Sequence, residues 1–598
     1  MAALPWHAWH SRLFLFPHMS SAASLPYTEP SIITVLVLSS FLLLLNVINS
    51  VLDRLIYCGL IGQLLLGVAY GTPGAGWISI ETENVISQLG YLGLILLVYE
   101  GGLSTSIDAV RANLFLSIAV AITGISLPIA LSFVLRSLAN ATPLQAFAAG
   151  AALCSTSLGT TLTVLSTSGL QKSRLGVVLT SAAMMDDVVG LVMVQVISNL
   201  GPQSGQTFGA VQVIRPVLVS LAFAVVVPFV CCAVVRPITF KYASMKSGIV
   251  TAAGTERAIQ TAFVLQTLIL LAFVTAGTYA GTSNLFTAYL AGATISWWDS
   301  LEIDIHKRTI DTEQVASTLS GTETAPSTHI GSNDRSSRLN SASGLAFYDE
   351  YYEQATTRIL KPFFFASIGS SVPISKMFSG AVVWRGFVYA VLMILGKLMC
   401  GLWLIRLNIP LPAPRTWRIT KVFHKIIQST KSSSRRPVAA KARRSNILNR
   451  ASNKTESTEL ASMRSPPETA APNTKSMGTA QPSESLITST QPVKPLTLYP
   501  ATILGGAMVA RGEIGFLISS LANSQGLFSA NSSDGSSSQD ENSSIFLVVT
   551  WAIVLCTIIG PVTVGLLVRR LKALEKRAQA GASVEGVKRN VLGSWGVE

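Results

Sequence analysis

The chain has 598 residues, 49% of them hydrophobic and only 12% charged, with a net charge of +14 and a mean hydropathy of +0.49. A soluble protein of this length would divide into several domains and cover each with charged groups, and this composition excludes that. Apolar stretches of bilayer length instead follow one another, the pattern of an all-α polytopic membrane protein.

Thirteen spans are expected in chain order, near residues 31–50, 55–71, 85–105, 112–138, 144–167, 175–200, 213–236, 260–281, 283–298, 354–374, 379–405, 500–523 and 544–570. The second, which holds Cys58, is short. Residues 1–30 read as an extracytosolic extension. No basic cluster directly precedes the first span and thirty residues lie before it, so a cleaved signal peptide is not expected there; Met19 offers an alternative start.

Lys and Arg in the short loops set the orientation. With the N-terminus outside or lumenal, the cytosolic loops carry Arg54, Arg111, Lys172, Arg174, Arg236, Lys241, Lys246 and Arg257, and the cytosolic tail 571–598 begins beside Arg569, Arg570 and Lys572. The opposite loops, "TPGAGWISIETEN" and "NSQGLFSANSSDGSSSQDENSS", are acidic. Plasma membrane and endomembrane are not distinguished. Three sequons (Asn140, Asn531, Asn542) fall on outer loops, although N-x-S/T is common by chance.

Two segments break the membrane pattern. Residues 299–353 read as a Ser/Thr-rich cytosolic loop. Residues 406–498 carry sixteen Lys/Arg against four Glu, which accounts for +12 of the net +14. This second loop reads as disordered and cytosolic, obeying the positive-inside rule. The other reading is contact with anionic lipid, or regulation by phosphorylation around "STKSSSRRP". A loop tethered at both ends in this way is not read as a nucleic-acid partner.

All six cysteines (Cys58, Cys154, Cys231, Cys232, Cys400, Cys556) sit in apolar runs without metal-ligand spacing and read as small packing residues. All six histidines fall outside the spans, so proton chemistry within the membrane would use carboxylates. No resident metal or cofactor is expected. No nucleophile–His pair or phosphate loop suggests an enzyme.

Deep in the spans lie Glu100, Asp186, Asp187, Lys397, Arg511 and Glu513. Each is expensive to hold in a bilayer, so each is a functional candidate, with a structural ion pair as the alternative. The sharpest signal is "AAMMDDVVGLV", two adjacent Asp in a run with no other charge from Leu175 to Ile197. Neighbouring helix positions point about 100° apart, so the two side chains can serve different partners. Competition of a proton and a hard cation for one carboxylate is the minimal chemistry of antiport. The other carboxylate needs a counter-charge, and Lys397 in "ILGKLMCG" is the only lysine read as lying deep in a span.

A lone carboxylate does not strip an ion of its water, so more oxygens are needed. "LCSTSLGTTLTVL" crowds Ser155, Thr156, Ser157, Thr160 and Thr161 around Gly159, where a helix break would expose backbone carbonyls. The other reading is close helix packing by small residues. "ILGGAMVARGEIGFLIS" in the twelfth span, with four glycines and the Arg511–Glu513 pair, is the matching irregularity.

These phrases, in order with "GLIGQLLLGVAYG", "LGLILLVYEGGLSTSI", "RLGVVLTSAAMMDDVVGLV", "GTSNLFTAYLAGATIS" and "LKPFFFASIG", resemble the monovalent cation/proton antiporter superfamily. The resemblance is specifically to the branch grouping bacterial Na⁺/H⁺ antiporters, potassium efflux systems and fungal and plant relatives. The likeness covers 31–405 and 499–570. It implies about thirteen helices in inverted repeats, two of them crossed and discontinuous, with a core domain moving against a dimerisation domain in a homodimer. It makes Asp187 the main cation and proton carboxylate and Asp186 its partner, paired with Lys397. Thr156 and Ser157 match the break, and Glu100, Arg511 and Glu513 match buried charges that hold the core together. The Asp–Asp form tends to go with electrogenic exchange.

There are departures. "STSLG" lacks the acidic residue that some relatives have in the break. With about 28 residues after the last span, the nucleotide-binding module of the potassium efflux members is not expected. The function expected is exchange of Na⁺ and/or K⁺ for protons, serving pH and cation homeostasis. The alternatives are K⁺/H⁺ exchange in an endomembrane, a non-transporting sensor or scaffold, and a channel.

Overall fold

The computed structural model of the chain describes residues 27, 29–105, 113–157, 170, 173–200, 210–239, 255–319, 343–406, 498–528, 539–581, 592 and 595. The chain divides into two compact units, Met1–Asn408 with Val493–Glu598, and Ile409–Pro492. The second unit, most of the basic loop, lies outside the described residues, and the fold below is that of the first.

Every regular element among the described residues is helical. In chain order, those of ten residues or more are α1 (Ile32–Ile56), α2 (Leu60–Tyr70), α3 (Ile80–Leu103), α4 (Leu114–Ser132), α5 (Pro143–Cys154), α6 (Arg174–Asn199), α7 (Ala210–Val230), α8 (Thr255–Ala280) and α9 (Asn284–Leu319). After them come α10 (Lys361–Ser370), α11 (Gly380–Leu398), α12 (Tyr499–Val509), α13 (Glu513–Ser524) and α14 (Gln539–Gly581). Local sequence places several of the starts. Thr142 and Gln145 form a reciprocal capping box ahead of Pro143, which opens α5, and Ser173 Oγ accepts the backbone N–H of Gly176 to cap α6.

Among the described residues, nine helical stretches are long and apolar enough to cross a membrane. The other expected spans take different forms: α2 and α5 are short, and α10 is approached through helical turns that include a π-type turn at Thr356–Leu360. Helix α9 does not stop near 298, where the apolar run ends, but continues to Leu319. Residues 300–319 contain neither Gly nor Pro, and a helix needs no hydrophobicity to propagate. The loop expected at 299–353 is therefore partly helix, and its stretch 320–342 lies outside the described residues.

The helices pack as two groups. In one, α3 lies against α9 and α10, α10 against α2, α8 against α9, and α1 against α2. In the other, α4 lies against α5, α6 and α11, α13 against α5 and α6, and α14 against α11 and α12. The groups meet more sparsely, chiefly where α6 faces α9 and α10 faces α13. Within the first group the backbones nearly touch. A methyl at Gly102 of α3 would collide with the carbonyl oxygen of Tyr289 on α9, so only glycine permits this approach. Cys58, Cys154, Cys231, Cys400 and Cys556 are buried free thiols, and Cys232 is exposed.

Candidate functional site

Two helices end inside the second group. Helix α5 stops at Cys154, and Ser155 turns to an extended conformation with ψ 146°. Helix α12 stops at Val509, Ala510 takes ψ 129°, and α13 resumes at Glu513. The two interruptions lie against each other, for the Ser157 backbone N–H donates to the Ala510 carbonyl at 3.0 Å. Gly512 faces Ser157 so closely that an added Cβ would stand 2.5 Å from its Oγ. Gly512→Ala is accordingly expected to push the interruptions apart and destabilise the protein by about 1–3 kcal/mol, the usual effect of overpacking. Thermal unfolding in detergent checks this, with Gly101→Ala, where a Cβ meets open space, as the control.

Ending a helix leaves carbonyls without intrahelical donors, and here two cations answer them. Lys397 Nζ donates to the Cys154 carbonyl at 2.5 Å. Arg511 Nη1 donates to the Ser155 carbonyl at 2.7 Å and lies 3.4 Å from that of Met508. Both side chains are fully buried.

The adjacent acids of α6 diverge. Asp186 is fully buried, and its Oδ2 accepts from Lys397 Nζ at 2.7 Å and from Thr156 Oγ1 at 2.5 Å. Thr156 Oγ1 in turn accepts from Lys397 Nζ at 2.9 Å, closing a triangle. Asp187 is half-buried, and its Oδ1 accepts from Ser155 Oγ at 3.1 Å. It opens on a cavity of about 130 Å³ that also exposes Glu100, Glu513, Lys361, Tyr289 and Ser104. Tyr289 and Thr105 share a hydroxyl hydrogen bond of 2.9 Å at its edge.

Of the residues singled out from sequence, Asp186, Thr156 and Lys397 meet in the closed triangle, while Asp187, Glu100 and Glu513 meet at the cavity. Ser157 stands at the crossing, with its Oγ 3.5 Å from Glu513 Oε2. Arg511 and Glu513 do not pair with each other. The guanidinium is turned to the carbonyls freed by the interruptions, whereas Glu513, in the first turn of α13, faces the cavity. Gly159, Thr160 and Thr161 lie outside the described residues.

Sequence reasoning missed Lys361 and Tyr289. Lys361 stands in "LKPFFFASIG" inside the span expected at 354–374, yet it is absent from the charges expected deep in the spans. It reaches the cavity as a half-buried cation, so Lys397 is not the only lysine at the site.

Comparison with known proteins agrees with this architecture. Residues 37–322 match the family model described as sodium/hydrogen exchanger, transmembrane. A stretch of 133 residues is 32% identical to the Na⁺/H⁺-K⁺ antiporter GerN of Bacillus cereus, covering 22% of this chain and 34% of that protein. Another of 144 residues is 33% identical to the high-affinity Na⁺/H⁺ antiporter NhaS3 of Synechocystis sp., covering 24% and 31%. The chain thus spans about a third of the length of the curated relatives it matches. The solved structure of the sodium proton antiporter MjNhaP1 from Methanocaldococcus jannaschii superposes with a TM-score of 0.51 at 11% identity, over 90% of this chain and 98% of that one, a likeness of fold.

Proposed function

We propose that this chain belongs to the monovalent cation/proton antiporter superfamily, a reading supported by the sodium/hydrogen exchanger match over residues 37–322, and that it exchanges Na⁺ or K⁺ for protons across a membrane, with Asp187 as the carboxylate that both ions share. The observation carrying this reading is the split of the acidic pair: Asp186 is closed off by Lys397 and Thr156, and Asp187 faces the cavity. A carboxylate so placed is neutralised by a proton or by a hard cation, and each must leave before the other enters. Ser155 Oγ supplies a second oxygen beside it. A cavity of about 130 Å³ has the liquid volume of roughly four waters, so an arriving ion keeps part of its hydration.

Asp186 and Lys397 hold a constant balance beside that exchange. Lys397 and Arg511 also keep the interruptions from closing into continuous helices, which preserves the polar crossing. Movement of the second helix group against the first, in a homodimer, would carry Asp187 from one face to the other. K⁺ is included because GerN, matched over 133 residues, is named for it. An extracytosolic N-terminus, a cytosolic C-terminus and regulation through the basic loop 406–498 complete the proposal.

Acid-loaded vesicles carrying a pH dye test it. Addition of Na⁺, Li⁺ or K⁺ is expected to drive proton efflux, and the order of responses names the ion. A channel would pass cations down their gradient without obligatory proton flux, and a sensor or scaffold would pass neither.

A further inference from the structure

The cavity beside Asp187 has two walls. Helices α3, α9 and α10 contribute Glu100, Tyr289 and Lys361, and helices α6 and α13 contribute Asp187 and Glu513. The walls belong to the two helix groups, which pack closely within themselves and meet sparsely. Lys361 is the single basic side chain in the lining, against three carboxylates. No ion pair ties it to any of them among the described residues.

Its position is set by backbone packing. A Cβ added at Gly90 of α3 would meet the backbone of Phe364, and one at Gly93 would meet Leu360. Lys361 and Glu100 therefore share one rigid wall and face the carboxylates of the other across the space an ion would fill. An ammonium there carries the same charge as the transported cation and is drawn to the same acids.

We propose that Lys361 is a positioning residue that competes with the transported cation, its ammonium balancing Asp187 and Glu513 while the site is empty and so setting the apparent cation affinity. The proposal rests on the antiport reading and adds to it the group that tunes its affinity. Glu100, on the same wall, draws the ammonium back from the other two acids.

The test is the cation KM of proton efflux in vesicles, beside the cation-induced shift in melting temperature in detergent. Lys361→Met is expected to lower KM by roughly tenfold, the scale of effect of removing one like charge across a cavity of this size. Lys361→Arg, which keeps the charge, is expected to stay near wild type. Glu100→Gln is expected to raise KM, because the ammonium then falls wholly to Asp187 and Glu513. A merely structural lysine would lower the maximal rate without tightening KM. Unchanged or raised KM in a folded Lys361→Met protein overturns the inference while the antiport reading stands. If that variant does not fold, an unchanged or lowered KM in Glu100→Gln overturns it instead. Wild-type vesicles that show no cation-dependent proton efflux bring down the antiport reading, and this inference with it.

Discussion

Asp187→Asn is expected to abolish cation-dependent proton efflux while leaving the protein folded. Asparagine keeps the shape of the side chain and an oxygen for the Ser155 hydroxyl, which donates to Asp187 Oδ1 at 3.1 Å. No ion pair is broken, because the counter-charge of Lys397 is engaged by Asp186. Stability should change by no more than about 1 kcal/mol, as for substitutions that leave no buried charge unpaired. What disappears is the negative charge in the cavity, and with it the group that a proton and a cation take in turn. Vesicle assays beside melting in detergent separate the two effects, and exchange retained by this variant would end the proposal.

Lys397→Met is expected to act in the opposite way, through the fold. The ammonium is fully buried and meets three acceptors at once: Asp186 Oδ2, Thr156 Oγ1 and the Cys154 carbonyl. Removing one partner of a buried ion pair leaves the other charge uncompensated, at a loss of about 3–5 kcal/mol. Combining it with Asp186→Asn removes both charges and should recover much of that loss. A single variant that melts with the wild type, or a double variant no better than the single, contradicts this account of the triangle. Asp186→Asn alone leaves a lone buried ammonium held by Thr156 and the Cys154 carbonyl. It is expected to lower cation affinity or to change the charge moved per cycle, and unchanged current with unchanged affinity would count against it.

Much of this was legible without coordinates. Six ionisable residues stand out of the apolar runs because a bilayer makes each of them expensive, and the structure places all six at the buried triangle, the freed carbonyls or the cavity. Both interruptions fall in phrases where breaks are expected, "LCSTSLGTTLTVL" and "ILGGAMVARGEIGFLIS", but the first comes at Ser155, ahead of the Gly159 at which it is expected and which lies outside the described residues. Hydropathy did less well at helix ends. It stopped the ninth helix near 298, although the chain stays helical to Leu319, because hydropathy follows the solvent and a helix follows its backbone. The charges expected deep in the spans also leave out Lys361, although it stands inside the span expected at 354–374, and its importance shows only in the cavity that it lines.

By itself the sequence determined that the chain is helical, that it lives in apolar surroundings, and which few charges it keeps there. These are properties of short stretches, set by composition and period. Only the tertiary structure decided who meets whom. Asp186 and Asp187 are chemically alike and one position apart, yet one lies against Lys397 across 211 residues of chain and the other opens on a cavity shared by five helices. Arg511 and Glu513 are near neighbours in sequence and part company at the interruption, the first to the carbonyls of Ser155 and Met508, the second to the cavity. Helix neighbours and the direction of a side chain depend on packing between distant segments, and burial makes that packing decisive, since a buried charge must face a partner or a polar space.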